Sequence, residues 1–174
     1  MAEAAVEIRR LQGADLVAYK ALRDATLADD PTAFTSDAET ECLKSPDAYL
    51  PRLGLTAPLG GVFTIGALLE GKLLGAVSCE RDMRIKVRHL GHVVGMMVRG
   101  DQRGRGIGRL LIDACIAEAR RAVGGEMLTL TVTASNAGAV RLYERTGFVR
   151  YGSLPRAIKV GDQYHAKDQM VLML

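Results

Sequence analysis

Val93-Val-Gly-Met-Met-Val98, Arg99-Gly-Asp-Gln102, Arg103-Gly-Arg-Gly-Ile-Gly108 and Arg109-Leu-Leu111 decide how the chain reads. An apolar strand runs into a glycine- and arginine-rich turn, and an amphipathic helix starts there. In that helix the spacing groups Ile107, Leu110, Leu111, Ala114 and Cys115 on one side. Arg109, Asp113, Arg120 and Arg121 fall on the other. Three glycines alternate over Gly104 to Gly108, where the backbone can approach a ligand closely. The first turn of a helix carries N–H groups without intrahelical acceptors. With the positive end of the helix dipole they form a cradle for phosphate.

Spacing excludes two well-known phosphate loops. A P-loop ends in Gly-Lys-Ser/Thr, whereas Gly108 is followed by Arg109 and Leu110. A dinucleotide fingerprint starting at Gly104 and Gly106 needs its third glycine at position 109, which is arginine. A solvated Gly/Arg-rich turn is the plainer alternative.

Outward from this stretch, the chain reads as one mixed α/β domain over residues 1–174. Upstream, Val6–Arg10 is a strand. Asp15 caps a helix that places Leu16, Tyr19, Leu22 and Thr26 on one face and fades before Asp29-Asp30-Pro31. Ser36 with Glu39 has capping-box spacing and opens a broken helical stretch to about Leu53. Gly54–Gly61 is a loop. Val62–Leu69 and Lys72–Arg81 form a hairpin about Glu70-Gly71. Asp82–Arg88 is a connection and Leu90–Val98 is the strand feeding the glycine turn.

Downstream, the helix stops near Gly124-Gly125. Leu128, Leu130 and Val132 alternate with Thr129, Thr131 and Thr133 in a strand. Asn136–Arg145 is a short helix ending at Gly147. Phe148 onward is extended, with a break at Pro155, a turn at Gly161-Asp162 and a last strand at Met170–Leu174. Two strand–helix–strand passages in the second half predict a partly parallel sheet.

Composition narrows the function classes. With 174 residues, 48% apolar and 25% charged, the chain has the make-up of a globular domain with a sizeable core. The net charge of +3 argues against a nucleic-acid partner, as does the lack of aromatics interleaved with the basic residues. The arginines at 99, 103, 105 and 109 crowd the glycine turn and suit a small polyanion. Cys42, Cys79 and Cys115 have neither metal-ligand nor disulfide-framework spacing, so no metal is expected. No signal-peptide or membrane-spanning run is legible, which makes a cytoplasmic protein the expectation.

Arg103-x-x-Gly106-x-Gly108 resembles the pyrophosphate loop Gln/Arg-x-x-Gly-x-Gly/Ala of the GNAT superfamily of N-acetyltransferases. About thirty residues on, Asn136-x-x-Ala139-x-x-Leu142-Tyr143-x-x-x-Gly147-Phe148 resembles that family's second signature. The likeness covers roughly Val62 to Leu174, and Met1–Gly61 fits only in outline.

The resemblance implies a mixed, twisted sheet with a splayed parallel pair in the middle and helices on both faces. It implies acetyl-CoA as cosubstrate and direct acetyl transfer to a primary amine of a small molecule or peptide. A homodimer is compatible with the family. The pantetheine arm would lie along the strand ending at Val98 and hydrogen-bond Met97 and Val98. Backbone groups of Arg103, Gly104, Arg105, Gly106, Ile107 and Gly108 would hold the pyrophosphate. Tyr143 matches the tyrosine that protonates the departing thiolate, and is otherwise a packed tyrosine. Asn136 matches the residue meeting the cofactor arm, and is otherwise a helix cap.

The base is where the sequence departs from the family, which often carries a glutamate on the strand before the glycine turn. Arg88–Val98 contains no Asp or Glu. His92 is the candidate base, sharing a face with Val94, Met96 and Val98 under strict alternation. Glu80, Asp82 and a water chain are the alternatives. Selectivity would come from Pro31–Leu55 and Ser153–His165. The acidic residues between Asp29 and Glu41 could attract a cationic amine or form a solvated helix face. A non-catalytic module that binds acyl-CoA is the competing function.

Overall fold

The computed structural model describes residues 5–174; the part of the N-terminal reading that covers Met1–Ala4 lies outside them. Seven strands make one sheet: β1 (Glu7–Arg10), β2 (Phe63–Leu69), β3 (Lys72–Arg81), β4 (Leu90–Val98), β5 (Met127–Thr133), β6 (Val149–Val160) and β7 (Gln163–Met173). Four α-helices accompany them: α1 (Leu16–Asp29), α2 (Ala38–Cys42), α3 (Ile107–Ala119) and α4 (Ala137–Arg145). A 3₁₀ run covers Pro46–Leu53. The strand order is β1-β2-β3-β4-β5-β7-β6. Among the described residues only β4 and β5 pair in parallel.

Each face of the sheet has its own core. Phe63, Ile65, Val77, Val93, Leu128, Leu130 and Val132 pack against Leu111, Ile112 and Cys115 of α3 and Tyr143 of α4. On the other face Leu73, Ala76 and Met97 meet Tyr19 and Leu22 of α1 and Tyr49 and Leu53 of the 3₁₀ run. The alternation in β5 explains its place, because Leu128, Leu130 and Val132 all enter the α3 core. The buried stripe of α3 is rotated from the sequence reading. Leu110 is 45% exposed and Ile112 is fully buried. The helix turns its Ile112 side onto β2 and β3, so both Leu111 and Ile112 are covered.

Three other expectations are corrected. Asp37, not Ser36, caps α2 and accepts from the Thr40 N–H at 2.7 Å. Ser36 instead accepts from Arg23 Nη2 at 3.0 Å. Extended chain continues through Pro155, since β6 is an edge strand where a missing N–H leaves no ladder bond broken. Its pairing with β7 shifts between Leu154 and Ile158. Because β6 runs on to Val160, its partner β7 starts at Gln163, well before Met170.

The middle of the sheet positions the site. β4 and β5 pair from Leu90↔Met127 to His92↔Thr129 and no further. From Val93 onward the β5-facing edge of β4 has no strand partner. On its other side β4 pairs Ser78 with Val94 and Ala76 with Met97. Gly95 and Met96 therefore lie opposite Val77 alone, a β-bulge. Gly95 holds φ +59°, a left-handed conformation that favours glycine. The bulge shifts the alternation by one residue. Val93 belongs to the α3 core and Met97 to the α1 core, whereas strict alternation would put both on one face.

Candidate active site

The splay between β4 and β5 opens into a cavity of about 280 Å³. Val93–Met96 form one wall and Leu130–Thr133 the other. Asn136, Ala139 and Tyr143 close the α4 side, and Ala33–Ser36, Arg23, Arg52 and Lys167 the opposite side. The bulge thus exposes backbone of β4 to the cavity at the point where the parallel ladder ends.

At the C-terminal end of β4 the glycine turn starts α3 as the sequence suggests. Gly104 and Gly106 hold φ +78° and +81°, and Gly106 is the residue before the first helical turn. Arg109 and Leu110 N–H groups bond the Gly106 carbonyl at 3.0 and 3.1 Å. The N–H groups of Gly104 through Gly108 find no backbone acceptor among the described residues. A cradle of free donors at a helix start fits a pyrophosphate. The surrounding arginines are exposed and partly engaged. Arg99 pairs with Asp101, Arg109 with Asp113, and Arg103 Nη1 lies 3.8 Å from Asp30. Arg103 Nε reaches the Val98 carbonyl at 3.4 Å. Met97 is buried in the α1 core and Val98 is half-buried, and neither lines the cavity.

Tyr143 is buried and lines the cavity from α4, its ring edge-on to Phe148 at 5.9 Å. Burial pushes its phenol well above the ordinary tyrosine pKa. The group therefore stays protonated at neutral pH and can donate. Of the two roles weighed for Asn136, the structure shows the helix cap. Its side chain caps α4 by accepting from the Ala139 N–H at 3.1 Å, and the residue also lines the cavity.

His92 stands outside the cavity. It is exposed, sits in the paired segment before the splay, and its Nδ1 lies 2.6 Å from Thr129 Oγ1. The bulge also separates it from two of its expected companions, since Met96 and Val98 pack with the α3 core. The other candidate bases are engaged. Glu80 pairs with Arg52 at 3.1 Å. Asp82 is hydrogen-bonded by Arg84, which holds its carboxyl down at about 2. Cys79 and Cys115 are buried, and desolvation raises both thiols, that of Cys79 to about 12. Such thiols are poor nucleophiles at neutral pH.

The titratable groups lining the cavity are Arg23, Arg52, Tyr143 and Lys167, with no carboxylate among the described residues. The acidic character of the Asp29–Glu41 segment does not reach it. Asp30 faces Arg103, Asp37 is a helix cap and Glu41 is buried. Arg23, Lys44 and Tyr49 all hydrogen-bond Glu41. Pro31–Leu55 contributes Ala33–Ser36 and Arg52 to the lining, whereas Ser153–His165 contributes nothing. Sequence reading missed Arg23, Arg52 and Lys167. A signal existed for Arg23, four residues after Tyr19 on the apolar face of α1.

A sequence model of the acetyltransferase (GNAT) family matches residues 20–148. The chain belongs to that family. A GNAT acetyltransferase from Streptococcus pneumoniae superposes with TM-score 0.87 at 27% identity, covering 98% of this chain and 100% of that one. A Salmonella typhimurium protein solved with its cofactor acetyl-CoA superposes with TM-score 0.83 at 22% identity, over 98% of this chain and 94% of that one. N-alpha-acetyltransferase 30 of Schizosaccharomyces pombe is 30% identical over 94 residues, 54% of this chain and 62% of that protein. The match thus spans less than two thirds of that relative. The GNAT signatures lie where the fold needs them: one starts α3 beside the end of β4, the other starts α4 beside the splay. Among the described residues no helix is long and apolar enough to cross a membrane.

Proposed function

We propose that this GNAT chain transfers an acetyl group from acetyl-CoA directly to a primary amine of a small molecule or peptide. The observation carrying the proposal is the cavity where β4 bulges away from β5, walled by the buried Tyr143. When bound, acetyl-CoA supplies an acetyl thioester. The donors of Arg103–Gly108 and the side chain of Arg103 hold its pyrophosphate. The unpaired edge of β4, through Met97 and Val98, aligns the pantetheine arm. Asn136 sits at the α4 edge of the same path.

An alkyl ammonium has a pKa near about 10.4, so the acceptor must lose a proton before attack. Among the described residues no carboxylate lines the cavity, and His92 can take that proton only through intervening water. As the C–N bond forms and the C–S bond breaks, Tyr143 gives its phenolic proton to the departing sulfur, and the second proton of the amine nitrogen, lost as the amide forms, returns to the phenolate through water. Low-dielectric walls around the reacting atoms strengthen each of these interactions.

A thiol-release assay with acetyl-CoA and an amine panel tests the reading. The expected result is one thiol released per amine acetylated, and none without an amine. If acetyl-CoA at millimolar concentration neither binds nor protects against heat, the reading fails. The absence of a lining carboxylate favours one second reading, a module that binds acyl-CoA for regulation. It predicts tight CoA binding with transfer to no amine.

A further inference from the structure

We propose that the cavity binds an anionic group carried by the acceptor, a carboxylate close to the reacting amine. The proposal rests on the acetyl-transfer reading and names its substrate class. Arg23 of α1, Arg52 of the 3₁₀ run and Lys167 of β7 bring three cations to one small cavity from three distant parts of the chain.

The arginines are oriented for a ligand. Arg23 donates its Nε to Glu41 at 2.7 Å, and Arg52 Nε lies 3.1 Å from Glu80 in an ion pair. The Nη1 groups of both reach the space beside the β4 bulge. An atom one bond from the Gly95 α-carbon on that side would lie 3.5 Å from Arg52 Nη1, 3.6 Å from the Tyr19 hydroxyl and 4.0 Å from Arg23 Nη1. Glycine keeps that space open. Arg52 Nη1 donates to Tyr19 at 3.3 Å, so the hydroxyl is itself fixed by the guanidinium and can turn its own proton to the same point. Converging N–H and O–H donors, two of them charged, form a carboxylate site. On the far wall Lys167 donates to Thr35 Oγ1 at 2.8 Å and has no ion-pair partner among the described residues. Burial lowers its pKa, the expected cost of an ammonium without a counter-ion.

The same charges select against other amines. A polyamine would add a second cation to a cavity already lined by three. A peptide N-terminus would leave the donors facing an amide, a weaker acceptor than a carboxylate. The favoured acceptor is therefore a small amino acid or a similar amino-carboxylate.

The test measures binding and transfer separately. Calorimetry on the CoA-bound protein would compare common amino acids with their amides and the matching decarboxylated amines, and steady-state acetylation would use the same panel. For the best amino acid, the acid is expected to bind and react about 10- to 100-fold better than its amide, the range of a charged hydrogen bond. Arg52→Met is expected to erase most of that preference, and Arg52→Lys to restore part of it. Lys167→Met, a half-exposed position, provides a second variant should the arginine change impair folding. Amides or decarboxylated amines that bind and react as well as the acids would overturn the proposal. So would an Arg52→Met loss of kcat equal for every acceptor, which would assign the cations to the reacting thioester. Preferential binding of the acids to the CoA-bound protein without any transfer would uphold the subsite and reject the transferase reading.

Discussion

At the scale of single residues, environment decides what each titratable group can do. Tyr143 can act as a proton donor because burial keeps it protonated, and it lines the cavity because α4 begins at the end of β5. Tyr143→Phe is expected to lower kcat about 100-fold, the low end of general acid catalysis. Its dissociation constant for acetyl-CoA should be unchanged, and titration calorimetry beside single-turnover kinetics separates the two. Glu41 shows the opposite balance. Burial alone would raise its pKa, but hydrogen bonds from Lys44, Tyr49 and Arg23 outweigh it and bring the carboxyl down to about 2. A folded pKa below the unfolded value means that the carboxylate stabilises the fold fully above about pH 5, and that this is lost as pH falls through about 2. Glu41→Gln is expected to cost about 3 kcal/mol at pH 7, because Arg23 is left buried without its counter-charge. The variant should also flatten the stability profile between about pH 5 and 2. Urea unfolding at several pH values reads both effects.

Among the elements, β4 shows what a sequence can and cannot disclose. Its limits, the hairpin before it and the glycine turn after it follow from local pattern: apolar runs, a Glu70-Gly71 turn and glycines just ahead of a helical period. The bulge does not. Gly95 in a strand marks either a bulge or a close backbone approach, and sequence alone does not choose between them. Without the bulge, alternation carries His92's face through to Val98, although the structure breaks that face at Gly95. Nor were the cavity cations legible as a group, because Arg23, Arg52 and Lys167 meet only through tertiary packing. The start of α3 is the converse case, a candidate phosphate cradle whose turn and free N–H groups follow from local sequence. Because its donors are mainly backbone, one side chain should matter moderately. Arg103→Ala is expected to weaken acetyl-CoA binding about 10-fold at low salt. The difference from wild type should shrink as salt screens the exposed guanidinium. Calorimetry at two ionic strengths checks it.

For the molecule as a whole, the splay is a gap that the fold maintains. Helices α3 and α4 hold one face of the sheet through the Leu111–Tyr143 core, while α1 and the 3₁₀ run hold the other through Tyr19 and Met97. Both layers are anchored on the antiparallel strands flanking the gap, so β4 and β5 stay apart without each other's hydrogen bonds. A ligand lying in the gap would therefore supply the bonds the two strands lack, and its binding free energy would appear as stability of the centre of the sheet. At about 100 times its dissociation constant, acetyl-CoA should add about 2.7 kcal/mol. For a chain of this size that corresponds to a melting temperature raised by about 5–10 °C. Amide hydrogen exchange locates the effect: protection should rise at Val93–Val98 and Gly104–Gly108 and stay unchanged in the edge hairpin of β6 and β7. A comparable rise in melting temperature with protection confined to that hairpin would place acetyl-CoA on the outer strands and remove the splay from the mechanism.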